Sequence, residues 1–99
     1  MLYGNLRPFA KALITRDSSW ASGEMRSLAD AIIRGDASYA PSGPLRDFAT
    51  ALIRGDASYA SGTLRDLANA LIRRDYSYAP SGYRGLARAI ISGDDSWAA

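Results

Sequence analysis

Apolar and polar positions recur along this chain in two interleaved rhythms. The shorter one is helical. Leu45, Phe48, Ala49, Leu52 and Ile53 fall at i, i+3, i+4, i+7 and i+8, which is one apolar face of an α-helix, while Arg46, Asp47, Thr50 and Arg54 fall on the other side. The same order returns as Phe9, Leu13 and Ile14; Leu28, Ile32 and Ile33; Leu67, Leu71 and Ile72; and Leu86, Ile90 and Ile91. The pattern predicts five long helices of about 10–12 residues each.

The longer rhythm is a repeat. Trp20, Tyr39, Tyr59, Tyr78 and Trp97 are spaced by 19, 20, 19 and 19 residues. Arg7, Arg26, Arg46, Arg65 and Arg84 keep the same phase, and the one extra residue lies in Pro41-Ser42-Gly43-Pro44. The chain therefore divides into five units, approximately 1–21, 22–40, 41–60, 61–79 and 80–99, forming one domain. Every unit keeps an Asp (Asp17, Asp36, Asp56, Asp75, Asp94) and a Ser two residues on. An Asp there is a good N-cap, so Asp-x-Ser-aromatic-Ala predicts a single-turn α or 3₁₀ helix after each long one. Ser22, Ser42 and Ser61 are expected to cap or lead into the next long helix. Gly35, Gly55 and Gly93 stand where a helix needs a left-handed C-terminal residue. Arg16 and Arg74 occupy that column in the first and fourth units, where those helices are expected to end differently.

One such unit cannot bury its apolar face, but stacked units can. The expected fold is all-α: a right-twisting α-solenoid of five 19–20-residue repeats, each a long helix plus a single-turn α/3₁₀ helix. In style this resembles the α-solenoids that alternate a long helix with a 3₁₀ turn, such as the leucine-rich repeat variant. The unit here is shorter and has no iron–sulfur Cys cluster, so the resemblance assigns no functional residue.

Composition narrows the chemistry. The 99 residues are 47% hydrophobic and 22% charged, with net charge +2, as in a globular chain rather than a disordered one. There is no Cys and no His. This removes disulfides, thiolate metal sites, Cys nucleophiles and the commonest general base. Five copies of Asp-x-Ser suit a structural cap better than a single active site. Glu24 and the Asp94-Asp95 pair do not make two acids across a cleft. No enzyme activity, metal or cofactor is therefore expected. Arg34-Gly35-Asp36 and Arg54-Gly55-Asp56 spell an adhesion tripeptide, but each reads more simply as a helix end followed by a cap. Of 12 basic residues only Lys11 is not Arg. That bias, with the irregular loops and Pro8, suggests a natural high-GC source, a small bacterial or phage protein, rather than an idealised repeat. No signal-peptide core or apolar span is visible, so a cytoplasmic protein without membrane contact is expected.

Four surface features are candidates for function. The aromatic column has two readings, a core column or an exposed stacking platform for bases; because Ala always follows each ring the core is favoured, with Tyr3, Tyr76 and Tyr83 better placed for exposed contacts. The Arg7, Arg26, Arg46, Arg65 and Arg84 column predicts either a ladder with the Asp column or an anion-binding ridge, and Arg34, Arg54 and Arg73 form a second row. Arg7 with Lys11 and Arg84 with Arg88 are like-charge i,i+4 pairs at the two chain ends, where an acidic partner is expected. The terminal faces keep the internal apolar pattern: Leu6, Phe9, Leu13 and Trp20 at one end, Leu86, Ile90, Ile91 and Trp97 at the other. Two such faces predict head-to-tail self-association into a ring or superhelical filament. The leading expectation is a non-enzymatic interaction or assembly module, self-associating or binding a protein partner. The alternative is nucleic-acid binding through the Arg rows.

Overall fold

The computed structural model describes residues 6–98. It contains five long helices, α1 (Arg7–Thr15), α2 (Gly23–Arg34), α3 (Pro44–Arg54), α4 (Gly62–Arg73) and α5 (Arg84–Ser92). Each is followed by one turn of 3₁₀ helix: η1 (Ser18–Trp20), η2 (Ala37–Tyr39), η3 (Ala57–Tyr59), η4 (Tyr76–Tyr78) and η6 (Asp95–Trp97). An extra turn, η5 (Ser81–Tyr83), leads into α5. Among the described residues there is no strand, and no helix is long and apolar enough to cross a membrane.

The local rules operate as the residues dictate. All five Asp side chains cap their 3₁₀ turns: each accepts from the backbone N–H of the Ser two residues on at 3.0 Å and from its hydroxyl at 2.6–2.7 Å. The long helices end in the left-handed region whatever the residue. Gly35, Gly55 and Gly93 have φ of 70–74°, and Arg16 and Arg74 have φ of 59° and 58°. The expectation that the Arg-terminated helices end differently is thus corrected. An L residue there costs about 1–2 kcal/mol, and each Arg gains a bond that Gly cannot make. The Arg16 Nη2 donates to the Ile33 carbonyl and the Arg74 Nη2 to the Ile91 carbonyl, both at 3.1 Å. Each bond ties one helix C-terminus to the next, so neighbouring long helices run parallel. Ser22 and Ser61 do sit at N-cap positions, but neither side chain makes a cap bond.

Packing departs from the open stack. Every long helix packs on the next, and every 3₁₀ turn except η5 wedges between its own helix and the following one. The same relations join the ends: α1 packs on α5 and on η6. Five units thus close into a ring, each contributing a fifth of a revolution. The dimensions agree. Five helices in a row at about 8–10 Å spacing would put the outermost axes roughly 32–40 Å apart. The molecule measures only 28 × 28 × 20 Å, two equal axes and a short one, as a disc requires.

The core is built from columns around this ring. Phe9, Leu28, Phe48, Leu67 and Leu86, one from each unit, are at most 2% exposed. The paired alanines (Ala10 and Ala12 in α1, for example) are wholly buried in all five helices, and their small size lets the helices approach closely. A third alanine column, Ala21, Ala40, Ala60, Ala79 and Ala98, is buried beneath the 3₁₀ turns. Among the described residues no buried side-chain polar atom lacks a hydrogen bond.

Candidate functional site

The aromatic column lies outside the core. Trp20, Tyr39, Tyr59, Tyr78 and Trp97 are 46–51% exposed on the outer wall, which corrects the expectation that they were buried. The Ala after each ring is the residue that faces inward. A single 3₁₀ turn cannot aim two adjacent side chains at one helix, and the small one fits the narrow contact.

Each exposed ring carries a cation over its face. In the three central units this is the last-turn arginine five residues earlier: Arg34 on Tyr39 at 4.9 Å, Arg54 on Tyr59 at 5.3 Å and Arg73 on Tyr78 at 5.2 Å. In the first and last units that position is Thr15 or Ser92, and the cation sits one turn earlier. Lys11 lies 4.1 Å from the Trp20 centroid, and Arg88 lies 3.7 Å from Trp97 and 5.0 Å from Tyr76. The larger indole accompanies the more distant cation in both cases. Exposed contacts of this kind contribute about 0.5–1 kcal/mol each. Arg34 is also held by Asp30 at 2.8 Å, and the Arg73 Nε donates to the Asn69 side-chain oxygen at 2.9 Å.

In the first Arg column, Arg26 and Arg65 act electrostatically on the capping Asp17 and Asp56. Its members clamp the carbonyls at the end of the preceding 3₁₀ turn. Arg26 donates to the Ala21 and Ser19 carbonyls at 2.9 and 3.0 Å, and Arg65 to Ala60 and Ser58 at 2.9 and 3.1 Å. Arg46 does the same to Ala40 and Ser38 at 3.1 and 3.3 Å, and Arg84 reaches Ser77 at 3.4 Å. Arg7, at the ring closure, pairs with Asp95 at 3.0 Å. The hydrogen bonds of Arg26, Arg46, Arg65 and Arg84 therefore form a carbonyl clamp between units, with the capping Asp residues near by as charges. The Asp residues are engaged by their own Ser hydroxyls and N–H groups. Those hydrogen bonds hold all five carboxyls below the usual carboxylate range.

The terminal faces meet one another inside the chain. Leu6 and Phe9 are buried, Leu86 is buried, and Leu13, Ile90 and Ile91 pack against the core. The surfaces expected to join separate chains are consumed by ring closure, because the fifth unit presents to the first the same face that each unit presents to its successor. Trp20 and Trp97 belong to the outer wall rather than to that contact. Tyr76 is half-buried on Arg88, Tyr83 is half-buried against the core, and Tyr3 lies outside the described residues.

Closure also packs α1 and α5, which carry the two like-charge pairs, side by side. A groove of about 350 Å³ runs between α1 and η6, lined by Arg7, Pro8, Lys11, Trp20 and Asp95. A smaller groove between η2 and α3, about 220 Å³, is lined by Gly35, Asp36, Ala37, Thr50, Ile53 and Arg54. The Arg-Gly-Asp segments serve as helix end and cap, with both glycines at the left-handed position. Among the described residues no group of three or more acidic side chains is placed to hold a metal ion. Compared with known protein families, characterised proteins and solved structures, the chain shows no match.

Proposed function

We propose that this chain is a non-enzymatic interaction module, a closed helical ring that presents its outer wall to a negatively charged partner. The observation that carries the reading is the row of five exposed aromatic rings, each overlaid by Lys11, Arg34, Arg54, Arg73 or Arg88. An exposed ring with a cation on its face offers apolar area and positive charge together, and interaction surfaces are enriched in both. The five capping Asp residues support the same reading, since each is occupied by the fold.

Head-to-tail joining of chains would use the faces that α1 and α5 cover here. Within one chain those faces meet at a high effective concentration, which favours closure over assembly. The binding module is therefore proposed as a monomer.

Retention on an immobilised sulfated polyanion, eluted with a salt gradient, tests the reading. Replacing the five wall cations by Gln should bring elution to markedly lower salt without changing the far-ultraviolet circular dichroism. Unchanged elution of a folded five-Gln variant would overturn it.

A further inference from the structure

The wall is not uniform, and its departures from five-fold regularity gather at the closure. Residues 22–79 hold seven basic and seven acidic side chains and the last unit two of each, so the whole excess of two positive charges belongs to the first unit, whose neighbour across the closure is the last. The exposed faces of α2, α3 and α4 carry Asp30, Asp47 and Asp66 among their arginines. Those of α1 and α5 carry Arg7, Lys11, Arg84 and Arg88 and no acid. Both tryptophans of the chain lie here, each with its cation moved one turn along its helix. The groove of about 350 Å³ has Arg7, Lys11 and Trp20 on its walls, and its Asp95 belongs to the same 3₁₀ turn as Trp97. Its one acidic lining residue, Asp95, already places an anionic oxygen 3.0 Å from the Arg7 Nε.

We propose that this closure groove is a binding site for single-stranded nucleic acid, a deepening that rests on the wall-binding reading above. A base lies against the exposed part of Trp20, and the adjoining phosphate takes the position between Arg7 and Lys11 that the Asp95 carboxylate now contests. The strand continues past η6 to Trp97 and Arg88. Stacking faces alternating with cations are what a single strand requires. An acidic peptide would use the cations and leave both indoles unused. A duplex keeps its bases stacked inside. Asp95 acts as an internal competitor, so its removal should tighten binding.

Tryptophan fluorescence reads this site alone, because Trp20 and Trp97 are the only two tryptophans. The full chain is titrated with an oligothymidylate of about eight nucleotides, with labelled-strand anisotropy as a second readout. The expected result is saturable quenching that weakens steeply with salt. Lys11→Glu and Arg88→Glu should each weaken binding at least about tenfold, and Asp95→Ala should tighten it several-fold. Arg54→Glu, on the opposite side of the ring, should stay within about twofold. Circular dichroism separates loss of binding from loss of fold, and Lys11→Gln is the milder substitute if Lys11→Glu fails to fold. Equal binding of polyglutamate, equal sensitivity to Arg54→Glu, or no binding by either readout would each overturn the proposal. Polyanion retention that still depends on the wall cations would leave the broader reading standing in any of those cases; its loss would remove both.

Discussion

At the scale of single residues, what decides this structure is which polar group each charged side chain satisfies. Asp36 and its four equivalents hold the N–H and hydroxyl of a Ser two residues on, and the spacing Asp-x-Ser announces that bond in the sequence. The Arg column announces nothing comparable, because its acceptors are backbone carbonyls such as those of Ala21 and Ser19, which every residue possesses. The caps set an acid dependence. Their carboxyls are held below the usual value of about 3.9, so the unfolded chain takes up these protons first as pH falls. The caps' stabilisation is fully present above that value and drains away as pH drops through the lowered values of the folded state. Urea midpoints should be flat from about pH 7 to 5 and fall below about pH 4, and the Asp56→Asn chain should fall less steeply. A midpoint that rose on acidification would contradict this.

At the scale of elements, the helices and short turns were legible from periodicity and capping, and the division of labour between adjacent residues was not. Tyr59-Ala60 reads as an apolar pair, yet only Ala60 is buried. The contact between a 3₁₀ turn and a parallel helix is too narrow for the ring, which lies outside under Arg54. Phe48→Ala should therefore cost about 3–5 kcal/mol of unfolding free energy, whereas Tyr59→Ala should cost about 1 kcal/mol or less. Denaturant melts that showed equal losses would return the ring to the core. Tightness also explains Gly85. A Cβ there would lie 2.8 Å from the Trp97 carbonyl oxygen, which is backbone and cannot swing aside. Gly85→Ala should destabilise by about 1–3 kcal/mol through overpacking. Ser27→Ala, at the same position of α2, should change stability by no more than about 0.5 kcal/mol.

At the scale of the whole molecule, the decisive quantity is the angle between successive units. The repeat states that units stack and that the terminal faces remain adhesive. It does not state the angle, because that angle emerges from where the alanine columns let two helices meet. With a fifth of a revolution per unit, those adhesive faces meet within the chain, and the helices that carry the like-charge pairs become neighbours. Closure also makes the position of the chain ends incidental. A circular permutant with the present ends joined by a short flexible linker and new ends opened at Ser42 should fold to the same helix content and remain monomeric. An unfolded or aggregated permutant would show that closure is weaker than the internal contacts. The most direct test of the ring is solution X-ray scattering over a concentration series. The closed disc predicts the mass of one chain, 10.6 kDa, and a radius of gyration close to the 11.6 Å of its Cα trace, both independent of concentration. An elongated particle, or a mass that grows with concentration, would mean that the ends stay open and seek other chains.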